Sequence, residues 1–386
     1  MLSNQNLADL VAFRRALHQR PELSGAEVET AGRVVDFLKQ TNPDQVITGL
    51  GGTEAGGTGV AVVYDGVEPG PTVMVRAELD GLPIHDLGDV AHHSQLPGKG
   101  HLCGHDGHMA MLCALGLMLA RNRPARGRAI LLFQPAEETG QGAAAVLDDP
   151  QFQPIAPDIA LSLHNLPGLP LGHVGLTEGP FNCASRGLQI ELTGKTAHAS
   201  MPETGVSPMQ ALAQLMPALT ALGTGGALQP GFRLVTLTHV QMGEPAFGIA
   251  PGAATLMATL RCLEDADMAA LCAQAEALVS QVAETECLTV ATSYHDIFLT
   301  STNAPDPLAC LHRACDALAI PTHLDLGPMR WSEDFGRFGH AAKSAMFVLG
   351  SGEDHAQLHN PDYDFPDDLI PIGAGIFDHA LHDLLG

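Results

Sequence analysis

Apolar positions recur at helical spacing through Leu7, Leu10, Val11, Phe13 and Leu17, and Pro21 stops the run, which predicts a first helix over residues 5–20. Val28, Ala31, Val34, Val35, Phe37 and Leu38 repeat that spacing and predict a second helix from Glu27 to Thr41. Gly59-Val-Ala-Val-Val-Tyr and Thr72-Val-Met-Val-Arg are dense in β-branched residues and predict strands. Between helix and strand lies a Gly-rich segment, Gly51 to Gly57. It reads as a hairpin or connector; a phosphate cradle, the alternative, would need a Lys-Ser/Thr pair and a following helix that this segment lacks.

Met111, Leu112, Leu115 and Leu119 predict a helix from His108 to Arg121, followed by a buried-type strand at Ala129-Ile-Leu-Leu-Phe-Gln. A further helix begins at Gly142 and runs through Leu147, and Ile159-Ala-Leu-Ser-Leu-His is another strand. Strands alternating with helices predict an α/β fold with a mixed, largely parallel sheet covered by helices, whose ligands gather at the carboxyl ends of the strands. Near residue 184 the pattern changes. Gly187-Leu-Gln-Ile-Glu-Leu-Thr alternates as a half-exposed strand does, Pro208 to Leu222 and Met268 to Val282 are helical, and Phe232 to Val240 and Ala254 to Cys262 are strand-like. This predicts a smaller α+β unit with a sheet open on one face. After Asn303 the first style resumes with a helix at Leu308 to Leu318, a strand at Ala345 to Gly350 and a helix at Ile370 to Leu385. The expected organisation is a main domain in two parts, residues 1–183 and 295–386, interrupted by an inserted domain over 184–294.

Composition narrows the function classes. A chain of 386 residues exceeds one ordinary core, and no stretch approaches the roughly 18 apolar residues of a membrane helix. The N-terminal residues lack the basic start and apolar core of a secretory signal, so a soluble, cytoplasmic protein is expected. A net charge of −24 argues against nucleic-acid and anionic-membrane partners, which require clustered Lys and Arg. The eight cysteines form no close-spaced framework and read as free thiols, seven of them packing residues and Cys103 the exception.

The densest polar cluster is His101-Leu-Cys-Gly-His-Asp-Gly-His108, set directly before an apolar helix. A thiolate and imidazoles on a Gly-flexed turn suit a borderline divalent ion; a capped, His-rich turn with one buried Cys is the alternative. Three later segments answer it. Gln134-Pro-Ala-Glu-Glu138 follows one predicted strand, His164 closes another, and Leu358-His-Asn-Pro comes shortly after a third. Taken singly, they also read as a surface acidic pair, a core histidine and a turn histidine. Their shared placement on one rim of a sheet favours a common site.

Beyond these clusters, the chain resembles the co-catalytic metallopeptidase family of aminoacylases and carboxypeptidases, within it the amidohydrolase branch of hippurate hydrolases, N-acetyl-diaminopimelate deacetylases and plant indole-acetyl-amino-acid hydrolases. The resemblance runs through Leu17-His-Gln-Arg-Pro-Glu-Leu, Val75-Arg-Ala-Glu-Leu-Asp-Gly-Leu-Pro-Ile, Cys103-Gly-His-Asp-Gly-His, Phe133-Gln-Pro-Ala-Glu-Glu, Gly194-Lys-Thr-Ala-His-Ala and Ser332-Glu-Asp-Phe. It implies a catalytic domain of the di-metal peptidase type, with an inserted lid that commonly forms a homodimer interface. It further implies two divalent ions, Zn or Mn with Co or Ni as alternatives, held by Cys103, His105, Glu138, His164 and His359. Glu137 is then the general base acting on a metal-activated water. His198 matches a lid histidine that stabilises the oxyanion, and Asp80 a carboxylate supporting the ligands. His108 reads equally as a supporting residue or a cap.

Two positions depart from the family pattern. Glu78 stands where the first arm usually carries Asp, and Gly248, in Phe247-Gly-Ile-Ala-Pro, stands where relatives have an Asn that helps hold the substrate's carboxylate. Arg261 is a candidate anion partner, or else part of a structural ion pair. The expected activity is hydrolysis of an N-acyl amino acid or related small amide. A dipeptidase and a non-catalytic metal-binding protein are the alternatives, and the Glu137-Glu138 pair favours catalysis because a structural site needs no spare carboxylate.

Overall fold

The computed structural model describes residues 2–386. Along the chain run α1 (Asn4–His18), α2 (Val28–Leu38), β1 (Gln45–Leu50), β2 (Gly59–Asp65), β3 (Glu68–Glu78), α3 (His105–Leu119), β4 (Arg126–Gln134), α4 (Gly142–Asp148) and β5 (Ile159–Pro167). Next come β6 (Val174–Gly175), β7 (Gly179–Pro180), β8 (Ala184–Thr193), β9 (Ala197–His198), α5 (Met209–Ala221), β10 (Arg233–Met242), β11 (Ile249–Ala250), β12 (Ala253–Cys262), α6 (Asp265–Thr285) and β13 (Thr289–Phe298). The chain ends with β14 (Thr302–Asn303), α7 (Pro305–Ala317), β15 (Thr322–His323), α8 (Gly336–Gly339), β16 (Lys343–Gly352) and α9 (Leu369–Leu385). Among the described residues no helix is long and apolar enough to cross a membrane.

The chain divides into two compact units, one of residues 1–181, 301–327 and 334–386, the other of 182–300 and 328–333. The first holds an eight-stranded sheet in the order β1-β2-β4-β3-β5-β16-β6-β15. Its four central neighbours, β4, β3, β5 and β16, are parallel, while β1, β2 and β6 join antiparallel. This is the mixed, largely parallel sheet that the alternating pattern predicts. The central strands are near-continuous apolar runs because both faces are covered. Helix α3 is buried on nearly every side and packs against α1, α9 and β3, so its sequence is apolar all round rather than amphipathic. The predicted connector at Gly51 to Gly57 joins the antiparallel strands β1 and β2.

The second unit carries the antiparallel sheet β10-β12-β8-β13. Leu188, Ile190, Leu192, Leu256, Ala258 and Leu260 point from it into a core shared with Leu212, Leu215 and Leu219 of α5 and Leu271 and Val279 of α6. A separate two-stranded ribbon pairs β9 with β11, setting Ile249 opposite His198. Neither β1 nor β13 is predicted from the pattern. Both lie at sheet edges, β13 mostly exposed and β1 half exposed, so burial imposes little apolar periodicity on them. The cysteine expectation needs one correction: Cys287, in a left-handed conformation with φ 56 just past α6, is exposed rather than part of the core.

Candidate metal centre

Four parallel strands deliver the polar residues to one rim of the large sheet. His164 lies inside β5, Asp80 two residues past β3, Glu137 and Glu138 just past β4, and His359 in the segment after β16. Cys103 and His105 come from the turn that opens α3. Cys103 Sγ lies 3.4 Å from His164 Nε2. His105 Nε2 lies 3.9 Å from both Glu137 Oε2 and Glu138 Oε1, and His359 Nε2 lies 3.7 Å from Glu138 Oε1. Two ligands of one tetrahedral zinc sit roughly 3.3–3.6 Å apart; the Cys103–His164 pair falls inside that range and the other three lie a few tenths of an ångström outside it, close enough to share cations. The donors form three overlapping groups, Cys103 with His105 and His164, Cys103 with Glu138 and His359, and His105 with Glu137 and Glu138.

Outer contacts fix which atom each ligand presents. His105 Nδ1 donates to the backbone carbonyl of Asp80 at 2.8 Å, and His164 Nδ1 to that of Asn165 at 2.8 Å, which leaves each Nε2 facing the cluster. His105 Nε2 is buried and makes no hydrogen bond, an arrangement suited to a cation. Asp80 Oδ2 accepts from Ser24 Oγ at 2.7 Å and from the N–H of Glu138 at 3.0 Å. His359 adopts φ 65, and its N–H donates to Leu102 at 2.8 Å, tying it to the Cys103 arm.

Electrostatics agree with the donor set. Burial, then the Glu138 carboxylate, push the Cys103 thiol well above its ordinary value, a bias that a dication reverses by stabilising the thiolate. Burial, aided by His108, lowers His164 to about 3 and keeps it neutral, as a ligand must be. Burial, with His105, also lowers His359. His105 goes the other way, because Cys103 and Asp80 outweigh burial; a cation at Nε2 competes with that proton.

A buried polar chain lies beside the ligands. Gly104 takes φ 98 at the N-cap of α3, and a Cβ there would lie 2.2 Å from Asn165 Oδ1, so only glycine fits. His108 is neither cap nor ligand: its Nδ1 meets Glu78 Oε2 at 2.6 Å and its Nε2 meets Asn165 Oδ1 at 2.6 Å. Asn165 in turn donates to Tyr363 Oη at 2.6 Å. Glu78, the longer residue in the family's Asp position, is fully buried between His108 and Arg76 rather than on the rim, and Arg76 reaches Asp334 at 2.6 Å.

A second buried network joins α1 to α3. Arg14 pairs with Asp106, Asp364 and Asp367, while His18 Nδ1 meets Asp106 at 2.9 Å and its Nε2 stands 3.4 Å from Asp86. Burial alone would lower the His18 pKa, but Asp106 and then Asp86 outweigh it and lift it from 6.5 to about 9. A raised pKa stabilises the fold fully below pH 6.5 and loses that contribution as the pH rises through about 9. The expected loss is about 3 kcal/mol. Urea unfolding below pH 6.5 and above pH 9, on wild type and His18→Leu, checks this; an equal change in both proteins would contradict it.

In the second unit, His198 is exposed on β9, and its Nδ1 accepts from the N–H of Ser200 at 3.1 Å. The neutral ring therefore carries its proton on Nε2. Arg261 donates through Nη1 to the Arg330 carbonyl and the Ser332 hydroxyl, each at 2.6 Å, so the partners found are neutral rather than those of an ion pair. Gly248 accepts at its carbonyl from the N–H of Ala199 at 3.0 Å, and a Cβ added there meets no heavy atom within 4 Å.

Fold and donor set together define a metallohydrolase of the peptidase class. The model of Peptidase family M20/M25/M40 matches residues 74–383, and the chain belongs to that family and is a hydrolase. It is 29% identical over 375 residues to an N-acetyl-L-cysteine deacetylase of Bacillus subtilis, covering 95% of this chain and 86% of that protein. It is 29% identical to an N-acetyldiaminopimelate deacetylase of Anoxybacillus flavithermus, covering 94% and 95%. The solved structure of the Bacillus subtilis YXEP protein, described as a dinuclear metal binding peptidase from the M20 family, shares the fold with a TM-score of 0.83 at 23% identity, covering 99% of both chains.

Proposed function

We propose that the chain hydrolyses N-acyl amino acids, or closely related small amides, to a carboxylic acid and an amine. The observation that carries this reading is the convergence of Cys103, His105, Glu138, His164 and His359 with a further carboxylate, Glu137, on the rim shared by the parallel strands and the start of α3. The deacetylase names of the similar proteins point to the same bond. The five ligands would hold two divalent ions, Zn or Mn first and Co or Ni as alternatives. Bound there, such ions lower the pKa of a water and polarise the scissile carbonyl.

The protein's own groups supply the rest. Glu137 takes the proton of the attacking water and returns it to the leaving nitrogen. The Asp80 carboxylate accepts the N–H of Glu138 and its backbone carbonyl accepts from His105 Nδ1, fixing both ligands. His198, with its proton on Nε2, serves as donor to the developing oxyanion from a lid formed by the second unit. Arg261, anchored through Nη1, is the candidate contact for a substrate carboxylate. A homodimer through the second unit and a cytoplasmic location complete the reading.

Gly248 sharpens the substrate. Without an amide at that position a hydrogen bond to the carboxylate is lost, removing about 1.5–3 kcal/mol, a roughly 10- to 150-fold effect. The chain is therefore expected to depend less on a free α-carboxylate than its relatives do. The test is kcat/KM on N-acetyl, N-benzoyl and N-indoleacetyl amino acids, their carboxylate-free analogues and dipeptides, in wild type and Gly248→Asn, which the open space accommodates. Turnover of N-acyl substrates, with a gain confined to the acids in Gly248→Asn, supports the reading. Turnover only of dipeptides with a free amino group would replace it by a dipeptidase.

A further inference from the structure

The turn that carries Glu137 and Glu138 is held by a carboxylate outside the ligand set. Glu27 is fully buried at the start of α2. Its Oε1 accepts from the N–H of Ala136 at 2.9 Å and from that of Gly25 at 2.9 Å, while Oε2 accepts from Thr58 Oγ1 at 2.7 Å. Ala136 sits at φ 50, a conformation that a residue with a Cβ keeps only where its surroundings impose it. Glu137 is the next residue.

The loop bearing Glu27 is itself rigid. Glu22 accepts from both the N–H and the hydroxyl of Thr30, at 2.8 and 2.9 Å, which fastens the loop to α2. Gly25 and Gly56 approach so closely that a Cβ at Gly56 would lie 2.0 Å from the Gly25 carbonyl. From the same loop Ser24 reaches Asp80, which binds the N–H of Glu138, so the two acids are tied from both sides. A carboxylate is costly to bury, and this one faces three neutral donors that an apolar side chain would leave without an acceptor.

We propose that Glu27 is a positioning residue that holds Ala136 in its left-handed conformation and so aims the Glu137 carboxylate into the metal centre. This rests on the role given to Glu137 above. A base displaced by about 1 Å costs up to roughly 10²-fold, so Glu27→Leu is expected to lower kcat by roughly 10- to 100-fold. KM and cation content stay close to wild type, because the ligands themselves are untouched.

The experiment measures kcat, KM and bound metal per subunit on Zn- or Mn-loaded enzyme for wild type, Glu27→Leu, Glu27→Asp, Glu27→Gln and Glu137→Gln. Glu27→Asp keeps the charge but falls one methylene short of Ala136, and it gives the same loss should Glu27→Leu fail to fold. Glu27→Gln restores kcat, because its amide oxygen still accepts from Ala136, which a loss of general stability would not reproduce. Wild-type kcat in both the Leu and Asp variants, or a Gln variant as impaired as Leu, overturns the inference alone. Unchanged kcat in Glu137→Gln overturns the base assignment and this inference with it.

Discussion

Glu137→Gln is expected to lower kcat by roughly 10²–10⁴-fold, the range for losing a general acid–base group, while the enzyme still binds its metal. The side chain stands 3.9 Å from His105 Nε2 and beside Glu138, close enough to reach a water at the centre without being needed as a ligand. Gln is isosteric and cannot take a proton, so the change isolates proton transfer from packing. Glu138→Gln behaves differently. Glu138 faces both His105 and His359, and losing its charge weakens cation binding together with turnover. Paired measurements of kcat and of metal per subunit separate the two carboxylates. Should Glu137→Gln shed metal while Glu138→Gln retains it, the two roles are exchanged.

The parts of this architecture legible in sequence are those that burial writes twice. Strands β2, β4, β5 and β16 are covered on both faces and show as apolar runs, and the last three each contain or precede a candidate ligand position. The edge strands β1 and β13 are not legible, because exposure leaves their residue choice free. The candidate ligands are readable from their types and from their place near strand ends, with the family resemblance suggesting the roles. Their supports are not. Glu27 meets Ala136 across 109 residues, and Asn165 meets Tyr363 across 198, so no local spacing signals either contact. Glu78 illustrates the limit: its acidic character is visible in the sequence, but its burial between Arg76 and His108 emerges only once β3 and α3 pack together.

Removing the cations is expected to abolish turnover entirely. Without them burial, and then the Glu138 carboxylate, drive the Cys103 thiol toward its protonated form, and the side chains lack an electrophile to polarise the amide. Competition between protons and cations at Cys103 and His105 makes the loss more complete as the pH falls. The most direct test is elemental analysis and kcat/KM on one preparation, before chelation, after it, and after adding back Zn²⁺, Mn²⁺ or Co²⁺. Active protein is expected to hold two cations per subunit, metal-free protein to show no detectable turnover, and recovery to track the metal restored; full turnover by protein shown to be metal-free would contradict a metal-dependent hydrolysis.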